Sequence, residues 1–175
     1  MGPQAFEAIV AVHHPEIHRY LSRITARSSE AEDLSQETFL RAYRAYRALP
    51  PEANVRAWLF AIATNLFRNH LRSEKRRTTV HAAVHATRSE TDGGGPEEET
   101  LFNETRGLIE AVVARLPFKQ RTAFTLRKIH NLDYDAIARS LDCSEDSARA
   151  HVFQALRKIR QSLNGHALAV TEVSR

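Results

Sequence analysis

The sequence predicts an all-α protein: two small helical domains joined by a flexible acidic linker. Three observations predict it. Aromatic residues make up only 7% of the 175 residues, long β-branched runs are absent, and apolar residues recur at helical spacing. One break interrupts that pattern, at Thr87–Thr100, where TRSETDGGGPEEET offers three glycines, a proline and an acidic run that cannot bury apolar area. Charge is divided around the break. Residues 1–77 carry 12 Lys/Arg against 8 Asp/Glu, residues 78–105 carry 1 against 6, and residues 106–175 carry 12 against 7. The predicted boundaries are therefore a domain over 1–77, a linker over 78–100, a second domain over 101–165 and a short tail over 166–175.

The N-terminal domain reads as helices throughout. Pro15 is placed to open one running to about Ala26, since proline suits the first helical turn. Ser29 with Glu32 forms a capping-box pattern that opens a second, running to about Ala48 with Phe39, Ala42, Tyr43 and Tyr46 on its buried face. Pro50 and Pro51 end it. Asn54 is placed to cap a third helix, along which Val55, Trp58, Leu59, Ile62 and Leu66 keep helical spacing. Trp58 falls on that apolar stripe and reads as core rather than as a base-stacking platform.

The C-terminal domain opens with a helix ending at Leu116, with Leu108, Ile109, Val112 and Leu116 on one face. Pro117 restarts the chain, and the next helix carries Phe124 and Ile129. Asp133 can cap Tyr134–Leu141, and Ser144 can cap a long helix running to about Leu163, with Glu145 and Asp146 placed favourably in its first turn.

Hydrophobic residues make up 42% of the chain, enough for a buried core, and the formal net charge is +4 with a pI of about 9.6. Two basic blocks flanking an acidic spacer point to an anionic partner for the blocks and repulsion for the spacer. Cys143 is the one cysteine, so an intrachain disulfide is excluded and a reducing interior fits. No stretch reaches membrane-spanning length, and His13, His14, Glu16 and His18 interrupt any apolar leader. The expected location is cytoplasmic, without membrane insertion.

Two helices joined by Asp142-Cys143-Ser144 have the spacing of a helix-turn-helix. On the second, Ala148, Val152, Ala155 and Ile159 form a narrow stripe suited to the core. The opposite face carries Asp146, Arg149, Ala150, Phe153, Gln154 and Arg157. Arginine can reach guanine in the major groove, Ala150 and Phe153 can meet thymine methyls, and Arg157, Lys158 and Arg160 suit phosphates. A solvated charged face is the bland alternative, but an exposed aromatic within it favours a partner. His151 lies at the margin, placed to touch a phosphate or to pack.

Several stretches together resemble the sigma-70 family, in its extracytoplasmic-function branch. Leu116-Pro117, Arg121, Phe124, Leu126-Arg127, Leu132–Ala138 and Ala148–Leu156 resemble its region 4. Ala31–Phe39 and Ala57–Asn65 resemble its region 2. The resemblance implies an alternative sigma factor that binds core RNA polymerase through the largest and second-largest subunits. It implies recognition of promoter DNA by reading the −35 element and capturing the melted −10 element, and it implies regulation by an anti-sigma factor. Asp33, Gln36 and Glu37 share one face at i, i+3 and i+4, and with Arg41 they would dock on the polymerase. Asn54, Asn65, Arg68, Arg72, Lys75, Arg76 and Arg77 would handle −10 DNA. Asn65 offers both donor and acceptor to a flipped base, and the cations would grip phosphates. Ser147, Arg149, Ala150, His151, Phe153, Gln154 and Arg157 would meet −35 DNA.

Departures from the family pattern stand at Ala150 and Gln154, which remove groups that could reach DNA, and at Asp142-Cys143, where many such turns carry glycine. A free-standing operator-binding regulator is the alternative function, but it leaves Asp33–Phe39 unexplained. An enzyme or metal sensor is the other. His81 and His85 lie at i, i+4, and His13, His14 and His18 cluster, yet no HExxH, paired-Cys or phosphate-loop signature accompanies them. Neither catalysis nor a metal or other cofactor is expected.

Overall fold

The computed structural model describes residues 3–25, 27–80 and 100–173. Seven α-helices are described: α1 (Pro3–Ile24), α2 (Ser28–Ala45), α3 (Val55–Val80), α4 (Thr100–Arg115), α5 (Phe118–Phe124), α6 (Tyr134–Leu141) and α7 (Glu145–Val173). A 3₁₀ turn (Tyr46–Ala48) follows α2, and a π-helical turn (Thr125–Ile129) follows α5. Among the described residues there is no strand. The expected linker falls mostly on residues 81–99, which lie outside the described residues together with His81 and His85.

Two expectations about helix starts are corrected. Pro15 does not open a helix; α1 runs straight through it. The missing N–H deprives the Ala11 carbonyl of its helical partner, but Ala11 and Pro15 both face solvent, where water can serve that carbonyl. Helix α2 begins at Ser28 with Arg27 as its cap and no side-chain capping bond, so Ser29 is already inside the first turn. Glu30 stabilises that turn instead, close to the helix N-terminus and 3.6 Å from Arg27. Helix α7 also runs ten residues past the expected end near Leu163.

The other caps form as expected. Asn54 Oδ1 accepts from the Ala57 N–H at 2.9 Å, Asp133 Oδ1 from the Ala136 N–H at 2.7 Å, and Ser144 Oγ from the Ser147 N–H at 3.2 Å. Each satisfies one of the N–H groups that a helix start leaves unpaired.

In the N-terminal domain α1, α2 and α3 pack around Tyr20, Leu21, Ile24, Leu59, Phe60 and Phe67, all essentially without exposure. Side chains of that size contribute roughly 1.5–3 kcal/mol each on burial. The buried Tyr20 hydroxyl is satisfied by Thr64 Oγ1 at 2.7 Å. Phe39, Ala42 and Tyr46 are buried as expected, but Tyr43 is half exposed, its ring edge-on to Phe6 and stacked on Tyr46. Trp58 is half buried against the core. The C-terminal core is built on Leu126, Leu132, Ile137, Leu141 and Val152, and it is continuous with the N-terminal one. A smaller cluster of Val113, Leu116, Ala155 and Ile159 ties α4 to α7. Helix α6 lies against α3, and the π turn lies against α1.

Candidate nucleic-acid interface

The second helix of the helix-turn-helix, α7, is positioned by its own small residues. Ala148, Val152, Ala155 and Ile159 are all buried, so α7 sits close on α5 and α6 with one narrow face inward. The turn into it needs a left-handed residue, and Asp142 supplies it at φ 53°, ψ 61°. Aspartate tolerates that region better than most side chains, which is why the motif forms without the usual glycine. The Cys143 N–H then closes back on the Ala138 carbonyl at 3.1 Å.

The outer face of α7 is presented to solvent. Phe153 is 66% exposed, with Arg149, Ala150, Gln154 and Arg157 exposed around it. Arg149 is pre-aligned: Nη2 donates to Glu145 at 2.9 Å, and its guanidinium lies 4.8 Å from the centre of the Tyr134 ring. Gln154 Oε1 accepts from Gln120 Nε2 at 2.7 Å. Ser147 is half buried and hydrogen-bonded to Ser144 Oγ at 2.9 Å. His151 is half buried with Nδ1 enclosed and unpartnered. Burial, aided by Lys119, holds its pKa below the ordinary 6.5.

In the N-terminal domain the residues expected to meet polymerase lie together on α2. Asp33 and Gln36 are exposed, and Arg41 Nε donates to Glu37 at 2.6 Å. The residues expected to meet −10 DNA are dispersed along α3. Asn54 is committed to capping, and Asn65 is exposed. Arg72, Lys75, Arg76 and Arg77 are exposed along the C-terminal turns, with Arg77 3.6 Å from Glu74.

Arg68 behaves differently from these. Its Nη2 donates at 2.7 Å to the Ser140 carbonyl of α6, in the other domain. Arg68, Arg72 and Lys75 line a cavity of about 330 Å³ that Phe118, Lys119 and Leu141 complete from the C-terminal domain. Lys119 carries no motif in the sequence, being a lone lysine two residues after Pro117. Glu16, Arg56 and His130, which join the domains, also lacked a signal: their sequence spacing shows no periodicity.

Among the described residues no group of three or more His, Cys, Asp or Glu side chains is placed to hold a metal, and no helix is long and apolar enough to cross a membrane.

The family described as Sigma-70 region 2 matches residues 9–77, and that described as Sigma-70, region 4 matches residues 106–159. The chain is 31% identical over 170 residues to the RNA polymerase sigma-H factor of Pseudomonas aeruginosa, covering 91% of this chain and 86% of that protein. The chain belongs to the sigma-70 family. Its extracytoplasmic-function branch is indicated by the ECF RNA polymerase sigma-E factor of Escherichia coli K12, 30% identical over 163 residues, with 89% of this chain and 85% of that protein covered. Among solved structures, the fold is shared with the sigma factor RpoE in complex with the anti-sigma factor NepR from Bartonella quintana. That match has a TM-score of 0.75 at 19% identity, over 92% of this chain and 98% of that one. As an alternative sigma factor, this member of the family directs the initiation of transcription by RNA polymerase at promoters. The operator-binding alternative is not favoured, since the region 2 match accounts for the half of the chain it left unexplained.

Proposed function

We propose a division of labour between the two domains of this sigma factor, residue by residue. The single observation that carries it is the outward face of α7, where Arg149, Ala150, Phe153, Gln154 and Arg157 stand exposed opposite a fully buried stripe. That face reads the −35 element as duplex, with Arg149 on a base edge, Ala150 and Phe153 on thymine methyls and Arg157 on phosphate. Ser147 and Gln154 contribute polar contacts, and His151 supports the helix from behind. Asp33, Gln36, Glu37 and Arg41 dock on core polymerase. Asn65, Arg68, Arg72, Lys75, Arg76 and Arg77 hold the separated −10 strand, and the loop ending at Asn54 completes the base pocket.

The units are 1–77 and 101–165, with 78–100 as the connecting segment and 166–175 as a tail. The protein acts in the cytoplasm, catalyses nothing itself and takes no cofactor. The RpoE neighbour was captured with the anti-sigma factor NepR. A protein antagonist that covers both domains is the matching regulator here.

The test uses the reconstituted holoenzyme on its mapped promoter. Arg149→Ala should weaken promoter binding by about tenfold to a hundredfold, the worth of one good base contact, while co-purification with core polymerase is unchanged. Loss of polymerase binding in that variant would refute the division. Combined replacement of Asp33, Gln36 and Glu37 by alanine should instead abolish co-purification with core polymerase, while the isolated variant keeps its helical content.

A further inference from the structure

One ring in the C-terminal domain serves two guanidinium groups. Tyr134 opens α6, where the Asp133 cap on the Ala136 N–H, at 2.7 Å, fixes the backbone. The Tyr134 side chain is half-buried and packs against the main core. The Arg149 guanidinium of α7 lies 4.8 Å from the centre of its ring, and the Arg127 guanidinium lies 4.9 Å from it. Arg127 comes from the π turn and is itself anchored, since its Nη1 donates to the Leu132 carbonyl at 2.8 Å. Arg149 has a second restraint in Glu145, one turn earlier on its own helix, at 2.9 Å. Three successive elements therefore meet at Tyr134. An aromatic face attracts a cation through its quadrupole, and a planar guanidinium stacks on it. A long side chain that would otherwise sample many rotamers is thereby kept near one orientation.

We propose that Tyr134 is a positioning residue for base recognition: its ring fixes the plane of the Arg149 guanidinium and so sets the discrimination at the one base pair that Arg149 meets, with Arg127 steadying the ring. This step rests on the reading that puts Arg149 on a base edge of the −35 duplex. Bidentate contact with a base needs the guanidinium in the plane of that base, whereas a phosphate accepts a cation from many directions. An arginine free to swing would therefore trade base contact for phosphate contact. The two restraints divide the task. Glu145 holds one nitrogen of Arg149, and the Tyr134 ring sets the plane. A side chain ordered before binding also loses less freedom on binding. Arg157, assigned to a phosphate on the same face, has no ring partner among the described residues, which suits a contact that asks for charge and not for a plane. Selectivity at Arg149 then depends on α6, a helix that carries none of the residues assigned to a base.

The test uses the reconstituted holoenzyme and its mapped promoter, with duplexes in which each −35 base pair is replaced in turn, competed against the unaltered promoter. Arg149→Ala first identifies the base pair that Arg149 meets, as the position where discrimination collapses. Tyr134→Leu keeps apolar bulk on the core and removes the ring. It should lower discrimination at that position about fivefold, the equivalent of about 1 kcal/mol, and leave every other position within about twofold. Tyr134→Phe should retain full discrimination. Arg127→Gln, which leaves the ring in place, should lower it about twofold at the same position alone. Tyr134→Leu added to Arg149→Ala should lower it no further. Circular dichroism and co-purification with core polymerase verify that each variant is folded. An equal loss at every position would make Tyr134 a packing residue and overturn the positioning role. So would a Tyr134→Phe that behaves like the leucine variant, because the hydroxyl and not the ring would then carry the effect. If Arg149→Ala relaxes one position and Tyr134→Leu leaves it intact, the positioning role alone falls. If Arg149→Ala relaxes no position, the functional reading of α7 falls and takes the positioning role with it.

Discussion

The two helices proposed to meet DNA differ in what supports them and in what occupies them. Helix α7 rests on Ala148, Val152 and Ala155, and Arg149 on its outer face is aligned by Glu145 and Tyr134 of the same domain. Helix α3 rests on Phe60 and Phe67, and Arg68 is aligned by Ser140 of the other domain. The first surface is complete within its domain. The second shares its supporting residues with the boundary between domains, so its stability and its accessibility are coupled. The proposed duplex-reading face owes nothing to the other domain, whereas the proposed single-strand face does.

The largest break in that comparison comes from the supporting side chains. Phe60 is fully buried, meets Tyr20 and His130, and lies under the Arg56 guanidinium at 5.4 Å. Phe60→Ala should cost about 3–5 kcal/mol in denaturant unfolding and loosen both the N-terminal domain and the boundary. Val152→Ala removes two buried carbons and should cost about 2 kcal/mol, confined to the helix-turn-helix. Amide exchange resolves the two patterns. Protection lost on both sides of the boundary is expected for the first variant and on one side only for the second. The same pattern for both would remove the contrast.

Acidification should separate the domains before it unfolds either. Burial holds the pKa of His130 below its ordinary 6.5, against the opposing pull of Glu16 and with Arg56 and Arg23 adding to the fall. The Arg56 hydrogen bond holds Glu16 below its ordinary 4.5, and the bond to His130 adds to that. Both groups bind protons less readily in the closed chain. Their contribution to closure is therefore fully present above pH 6.5 and is lost as pH falls, first through the His130 range and then through that of Glu16. Scattering at constant ionic strength should show expansion beginning below pH 6.5, with helicity retained. His130→Ala should remove the first part of that dependence. An expansion that starts only near pH 4 would assign the effect to carboxylates alone.

A smaller effect sharpens the comparison at the helix starts, where the domains use the same device. Asn54 caps α3 and Asp133 caps α6 with nearly equal geometry. Alanine at either position should cost about 1 kcal/mol. They part in function: Asn54→Ser keeps the cap but alters the loop assigned to the −10 base, so it should restore stability without restoring promoter opening. Stability and opening restored together would make Asn54 a cap and nothing more.

Those caps were legible in the sequence, as was the buried stripe of α7, because both are local: a polar residue before a periodic run, and apolar residues repeated every three or four positions. The start of α1 was misread because proline is easy to recognise as a first-turn residue and nothing local announces that its lost hydrogen bond falls on the solvent side. The boundary could not be read at all. Glu16 and His130 stand 114 residues apart, and Arg56 and His130 stand 74 apart. Each looks like an ordinary surface residue within its own helix or turn. The candidate DNA residues were found by type and motif, but the engagement of Arg68 by Ser140 is a property of the assembled chain and leaves no mark on either segment.

The smallest predicted effect concerns the turn that gives the duplex reader its independence. Asp142 holds φ 53° where glycine would pay no steric cost, and it does so through backbone closure alone: its N–H reaches the Arg139 carbonyl at 3.4 Å, and Cys143 returns to Ala138. Asp142→Gly should relieve the left-handed strain while adding freedom to the unfolded chain, two terms of opposite sign, for a net gain within about 1 kcal/mol. Asp142→Val cannot adopt the turn comfortably and should destabilise the helix-turn-helix. Because Asp142 also lines the cavity between the domains, beside Arg68 and Lys119, the glycine variant removes a carboxylate from a basic surface. Oligonucleotide affinity should then rise slightly and its dependence on salt should steepen. A rise in stability with no change in salt dependence would confine Asp142 to the turn and leave the cavity's charge to its cations.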